Sequence, residues 1–345
     1  MFRVGIIGLG FIAQNHIKGF GGIPGVEIAA GCDVDNDRVK ACQEKFPIKQ
    51  GFSNYMDLLQ CNGLDLVVIC VPNFLHSKIA IDALNAGHHV LCEKPMATTL
   101  ADAKKMLIAS KANSKTLSIV MNFRWQFFGP DAFHLRQLIG NGKFGRIFYV
   151  RARYLRQKTF PESGSFRWNL KKDQSGGGVL IDLGPHMLDL AMWLIDDYAV
   201  RSVTGFTYNG QIKNSNVDDF ASAALLLSSG VRLTTELAWN SNNESAWQID
   251  IYGERGGAVL RQDQPPGRRI TYFSRIGDEA VTRKIELEDG HLVNDPSIHQ
   301  HVFLRMSAGD EPDCTGERGL KVMEVIDAWY KSDRENREVV LGIMD

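Results

Sequence analysis

Three polar residues, Asp182, His186 and Asp189, recur at i, i+4 and i+7 in an otherwise apolar run, which places them on one helical face. A histidine titrates near neutrality, so it can accept a hydroxyl proton at working pH. A carboxylate one turn away can orient that imidazole or bind the hydroxyl. Lys94, ahead of Pro95, supplies an ammonium, which in a dry site stabilises a developing alkoxide. The set suits oxidation of an alcohol, with activity rising through about pH 6–7 as the base loses its proton. Pro185 sets a condition, because proline removes a hydrogen bond inside a helix. Either the helix starts close to Asp182 or it kinks at Pro185. Asp189 is assigned to structure or orientation.

A second constellation opens the chain. Gly8-Leu9-Gly10-Phe11-Ile12-Ala13 fits G-x-G-x-x-A between an apolar strand and a helical pattern. Gly8 permits the tight turn, Gly10 lets pyrophosphate approach, and Ala13 lets helix and strand pack closely. The open N–H groups of the helix start then bind phosphate. Asp33 follows the second strand, twenty residues past Ala13, where a carboxylate accepts hydrogen bonds from the adenosine ribose hydroxyls. A 2′-phosphate about 4 Å from that charge costs on the order of 4 kcal/mol at an effective dielectric near 20. NAD is therefore favoured over NADP, an effect that Arg38 in the next helix softens.

The elements that must position these residues follow from the pattern. Strands are expected at 2–8, 26–32, 64–71, 88–92 and 116–122, with helices at 11–20, 36–46, after Asn73 as a cap up to Gly87, and at 100–112 capped by Thr98 or Thr99. Continuous apolar strands alternating with helices predict a doubly wound parallel sheet, an N-terminal Rossmann domain over residues 1–121. Lys94 and Asn73 both follow strand C-termini, where open α/β sheets bind ligands. The texture then changes. A helix is predicted over 130–139, a strand over 146–156, a polar loop over 157–177 and a helix ending near Ile195. Strands at 221–227, 231–239, 247–252, 258–261, 270–275 and 280–285 predict a C-terminal α+β domain over 122–345 with a largely antiparallel open sheet. Helices are predicted at 292–308 and 316–330, the second able to pack back on the first domain.

Composition bounds the rest. The 345 residues suffice for two domains, and the formal net charge of −1 predicts no broad attraction to nucleic acid or anionic membrane. The most apolar long segment, 179–195, carries Asp182, His186 and Asp189, which argues against a membrane span. Glycines interrupt the first apolar run, which reads as a strand rather than a signal peptide. None of the six cysteines forms a Cys-x-x-Cys pair. Neither disulfides nor a metal site are expected, and the expected location is cytoplasmic.

Three further pieces carry a resemblance. They are Val71-Pro72-Asn73-Phe74-Leu75-His76, Glu93-Lys94-Pro95, and the run from Gly176-Gly177-Gly178 through Asp182 and His186 to Asp189. With the nucleotide loop they resemble the glucose–fructose oxidoreductase and inositol dehydrogenase (Gfo/Idh/MocA) family over essentially the whole chain. The resemblance implies that Lys94, Asp182 and His186 are catalytic, with His186 taking the hydroxyl proton as hydride leaves for the nicotinamide. It implies that Pro72, Asn73 and His76 line the cofactor, with Glu93 nearby, and that Arg124 sits on the substrate side. Arg167 and Trp168 precede the glycine run; an arginine suits a phosphate or carboxylate and a tryptophan suits a sugar ring.

Each residue also has a structural reading. Lys94 fits a surface lysine beside a turn proline, His186 a satisfied core histidine, Arg124 a surface arginine and Trp168 a core tryptophan. The expected function is an NAD-dependent dehydrogenase for a secondary hydroxyl of a sugar, sugar phosphate or cyclitol, acting as a homodimer or homotetramer. The alternatives are a glycosidase that uses NAD transiently for oxidation and elimination, and a non-catalytic dinucleotide sensor.

Overall fold

The computed structural model describes residues 1–157, 167–213, 215–288 and 297–342. The chain divides into two compact units, Met1–Val120 with Pro296–Leu320, and Met121–Asp295 with Lys321–Asp345.

Unit 1 begins with β1 (Phe2–Ile7), α1 (Phe11–Gly21), β2 (Val26–Cys32), α2 (Asn36–Lys45), β3 (Gln50–Phe52) and α3 (Tyr55–Leu59). It continues with β4 (Leu66–Ile69), a 3-10 turn (Asn73–Leu75), α4 (His76–Asn85), β5 (His89–Glu93), α5 (Leu100–Ala112) and β6 (Leu117–Val120). The six strands are all parallel, in the order β3-β2-β1-β4-β5-β6. This is the doubly wound Rossmann arrangement. All four residues of β4 are buried, as its Leu-Val-Val-Ile content requires of a strand covered on both faces. Side chains start several helices: Asp35 accepts from the Asp37 and Arg38 N–H groups, and Thr99 from Asp102 N–H. Asn73 does not cap α4. It opens the 3-10 turn instead, and α4 starts at His76 with no side-chain cap. The periodicity missed β3 and α3 because three and five residues are too short to show a repeat.

Unit 2 opens on a π-helical turn (Phe123–Phe127), α6 (Gly129–Gly140) and β7 (Ile147–Leu155). A 3-10 turn (Arg167–Leu170), α7 (Lys172–Ser175) and α8 (Val179–Ile195) follow. Then come β8 (Val200–Tyr208), β9 (Phe220–Leu227), β10 (Arg232–Ala238), β11 (Ala246–Gly253), β12 (Gly256–Arg261), β13 (Ile270–Ile276) and β14 (Glu279–Lys284). The last strand is β15 (Val339–Val340). These form one sheet, β14-β13-β12-β11-β7-β10-β9-β8-β15, antiparallel except for the pair β7–β10. Val150, Ala152 and Tyr154 of β7 are buried on the face that α8 covers.

The second domain was expected over 122–345 with the helix at 316–330 able to pack back on the first; α9 (Ile298–Ser307) and the start of α10 (Gly316–Glu335) both group with unit 1. Phe303 of α9 packs edge-on against Phe2, and the Ile119 N–H donates to the Cys314 carbonyl at 2.8 Å. The chain thus returns to the edge of the first sheet. The start of the helix expected at 292–308 lies outside the described residues over 292–296.

Candidate functional site

In unit 1 the nucleotide loop has the geometry its chemistry needs. Gly8 lies at φ +86°, and a Cβ there would stand 2.5 Å from the Cys70 carbonyl oxygen. A Cβ on Gly10 would meet nothing within 4 Å, and no side chain caps α1. The first amides of α1 are therefore left to an anion, and Ala13 is fully buried against the sheet. Phe11 is exposed and Ile12 partly so. Asp33 at the end of β2 is buried; its carboxylate accepts the Leu9 N–H at 2.8 Å and the Asp35 N–H at 3.0 Å. Arg38 Nη1 reaches both of its oxygens at 3.1 and 3.2 Å. Loop, helix start and acid fit a dinucleotide.

Lys94 follows β5, and its N–H donates to Glu93 Oε2 at 3.1 Å. The Lys94–Pro95 peptide is cis. Glu93 turns into the unit, where its other oxygen meets His16 Nε2 at 3.0 Å. His76 does not present a free edge to a cofactor. Its Nδ1 lies 2.8 Å from the Pro95 carbonyl and its Nε2 2.9 Å from that of Val71. Burial lowers its pKa below the usual histidine range. His76 therefore sits between the Val71 carbonyl and the Pro95 carbonyl of the turn that carries Lys94, and as a neutral imidazole it donates to one of the two. Asn73 is buried and Pro72 partly exposed.

In unit 2, α8 starts at Val179, three residues before Asp182, and runs on through Pro185. The helix thus starts close to Asp182 and keeps Pro185 inside it, with Asp182 and His186 one turn apart. His186 is buried with its ring stacked on Phe123, centroids 4.1 Å apart at 8°. Asp182 Oδ2 accepts the Trp239 indole N–H at 2.8 Å. Behind Phe123 stand Tyr154 at 5.4 Å and Trp247 at 5.8 Å, centroid to centroid. Burial pushes the Tyr154 hydroxyl well above the ordinary tyrosine pKa, so it stays a neutral donor.

The glycine run has its own reasons. Gly176 takes φ +86° at the end of α7. A Cβ on Gly177 would lie 2.1 Å from the Tyr330 hydroxyl, and one on Gly178 only 1.8 Å from the Asp218 carbonyl oxygen. Asp218 in turn caps α8, taking the Gly178 N–H at 2.9 Å and the Leu180 N–H at 2.8 Å.

Arg124 departs from the substrate-side expectation. It is fully buried in unit 2, with its guanidinium 4.4 Å from the Trp125 ring and Nε 3.6 Å from Asp189 Oδ2. Asp189 also accepts from the Tyr198 hydroxyl at 2.7 Å, so both side chains hold α8 in place. Trp168 is half-buried in its 3-10 turn, and the Arg167 side chain lies outside the described part. Sequence reasoning missed Phe123, Trp239 and Asp218, which meet α8 within unit 2 from elsewhere in the chain, and no local spacing announces them.

A family model described as an oxidoreductase family with an NAD-binding Rossmann fold matches residues 2–121, and a GFO/IDH/MocA C-terminal domain model matches residues 133–259. The D-glucoside 3-dehydrogenase of Escherichia coli is 31% identical over 98% of this chain and 97% of that protein. The chain belongs to the Gfo/Idh/MocA oxidoreductase family. The inositol 2-dehydrogenase of Salmonella typhimurium is 28% identical, covering 98% of this Gfo/Idh/MocA chain and 96% of its own. A levoglucosan dehydrogenase structure in complex with NADH superposes with a TM-score of 0.88 at 21% identity, over 99% of this chain and 100% of that one, a likeness of fold. By family the protein is an oxidoreductase with an NAD-binding domain.

Proposed function

We propose that this protein is an NAD-dependent dehydrogenase that interconverts a secondary hydroxyl and a ketone on a sugar, sugar phosphate or cyclitol. One observation carries the reading. His186 is a buried imidazole pinned by Phe123, one helical turn from a carboxylate held by Trp239, in a chain whose other unit is an NAD-binding Rossmann fold. The substrate class draws support from the similar glucoside and inositol dehydrogenases.

A bound NAD supplies the hydride acceptor. Gly8, Gly10, Phe11, Ile12 and Ala13 would cradle its phosphates, Asp33 with Arg38 would take the adenosine ribose, and Pro72 and Asn73 would line the nicotinamide side. His186 accepts the hydroxyl proton at an imidazole nitrogen, and Phe123 keeps that ring from turning away. Asp182 binds a substrate hydroxyl or steadies the imidazolium that forms. Lys94 stabilises the alkoxide with its ammonium, and Glu93 and His76 hold the Lys94 turn. Trp168 offers a face for a sugar ring.

Incubation with NAD and a panel of neutral sugars, sugar phosphates and cyclitols tests the reading. NADH is expected with at least one of them. NAD binding without turnover of any contradicts it.

The assembly we propose is a homodimer or homotetramer. Strand register puts Phe206, Tyr208, Tyr252 and Phe273, each at least 40% exposed, on the sheet face opposite Val150, Ala152 and Tyr154. Light scattering that reports a monomer at micromolar concentration contradicts this. The location we propose is cytoplasmic, in keeping with six free thiols; recovery in an extracellular fraction contradicts it. The apolar window within Lys172–Ile195 is 83% buried inside the fold, as a core helix would be.

A further inference from the structure

Unit 1 contains a buried chain of ionisable side chains that the proposed reaction does not use directly. His16 on α1 stands between Glu93 at the end of β5 and His299 on α9, and all three are buried. His16 Nε2 lies 3.0 Å from Glu93 Oε1, and His16 Nδ1 lies 3.0 Å from His299 Nε2. The remaining Glu93 oxygen holds the Lys94 N–H at 3.1 Å. The approach of α9 depends on Gly19, where a Cβ would stand 2.2 Å from the His299 ring; the edge of Phe20 closes the other side at 4.9 Å. His16 and the Lys94 N–H meet the Glu93 carboxylate directly, and His76, Cys70 and Cys92 sense its charge.

The protons in this chain can be assigned. A carboxylate only accepts, so His16 donates through Nε2. The Nδ1 side of His299 faces the backbone of Gly19. A His16 that donates only through Nε2 offers its Nδ1 as an acceptor, so the proton between the two rings comes from His299. The His299 proton therefore belongs on Nε2, and it is given to His16 Nδ1. In this arrangement each ring donates one hydrogen bond along the chain. Burial pushes the His299 pKa down to about 3, which keeps it neutral.

We propose that His299 is a positioning residue for the Lys94 turn. By donating to His16 it fixes the His16 proton on Nε2, and through Glu93 it fixes the Lys94 backbone. The functional consequence rests on the reading that Lys94 acts on substrate.

The test uses the full chain labelled with 15N-histidine, together with hydrogen exchange at the Lys94 amide. Both imidazoles are expected to carry their proton on Nε2 at about pH 7.5. In His299→Phe the His16 signal should leave that state and Lys94 amide exchange should quicken about tenfold. The turnover number should fall by about the same factor with the Kd for NAD unchanged, as loss of one hydrogen bond of ordinary net strength predicts. His299→Gln, whose amide can donate to His16, should restore all three. A doubly protonated His16 in the parent protein overturns the proposal. So does a folded His299→Phe protein in which the His16 signal and the Lys94 amide do not move. If that variant does not fold, the parent's tautomers decide alone. Neither the tautomers nor the exchange requires a substrate, so failure of every sugar to reduce NAD would refute the dehydrogenase reading and leave this one to its own measurements.

Discussion

At the scale of residues, the proposed preference for NAD turns on the contact between Asp33 and Arg38. Asp33 is already held by two backbone N–H groups and by a guanidinium on both oxygens. Its charge repels a 2′-phosphate, while the half-exposed Arg38 beside it attracts one. Removing Arg38 leaves the repulsion unopposed. Arg38→Ala should raise the ratio of kcat/KM for NAD over NADP by about fivefold, the scale of a partly exposed ion pair. Steady-state kinetics with both cofactors would check it, and an unchanged ratio would show that Arg38 has no part in the choice. The spacing from Ala13 to Asp33 made this carboxylate visible in the sequence. The Leu9 N–H that aims it was not visible, because that bond joins loops after two different strands. Arg124 shows the converse: next to a tryptophan at the start of a domain it resembled a ligand residue, and only its burial against Asp189 and two tryptophan rings reveals a packing role.

At the scale of elements, α8 carries the proposed proton acceptor, His186, and its start is closely constrained. Val179 N–H donates to the Asp218 carbonyl at 2.7 Å while Gly178 and Leu180 donate to the Asp218 carboxylate. A methyl group on Gly178 would occupy the place of that carbonyl oxygen. Gly178→Ala should therefore destabilise the protein by about 3 kcal/mol, as the loss of a cap and strained backbone together imply. Urea denaturation would measure it, and a loss below about 0.5 kcal/mol would contradict the steric argument. The i, i+4, i+7 pattern made the helix and its polar face legible. The proline made its start ambiguous, and the resolution came from Asp218, about forty residues further on. Phe123 and Trp239 were illegible for the same reason: their partners in α8 are decided by sheet register and by the π-helical turn, and neither leaves a local signature.

At the scale of the whole molecule, alternation of strands and helices was enough to read the Rossmann sheet, and alternation within strands enough to read the open sheet. The sequence allowed the helix at 316–330 to pack back on the first domain, but the return of α9 with it was not readable, since its contacts are long-range. That return carries His299, and with it a pH dependence. His76, His89 and His299 all have pKa values lowered mainly by burial. In the unfolded chain each takes a proton near pH 6.5 that the folded chain refuses, so stability is full above that pH and falls as acid is added. Each group held neutral contributes a slope of about 1.4 kcal/mol per pH unit below about pH 6. His299→Gln should reduce the slope of unfolding free energy between about pH 6 and 5 by roughly that amount. An unchanged slope would mean that His299 is protonated in the fold. The central claim concerns chemistry, however, and single-turnover NADH formation by His186→Ala beside the parent protein, with saturating NAD and a turned-over sugar, tests it most directly. The account predicts a rate lower by about 10² or more with the Kd for NAD unchanged. Hydride transfer at the parent rate would contradict it.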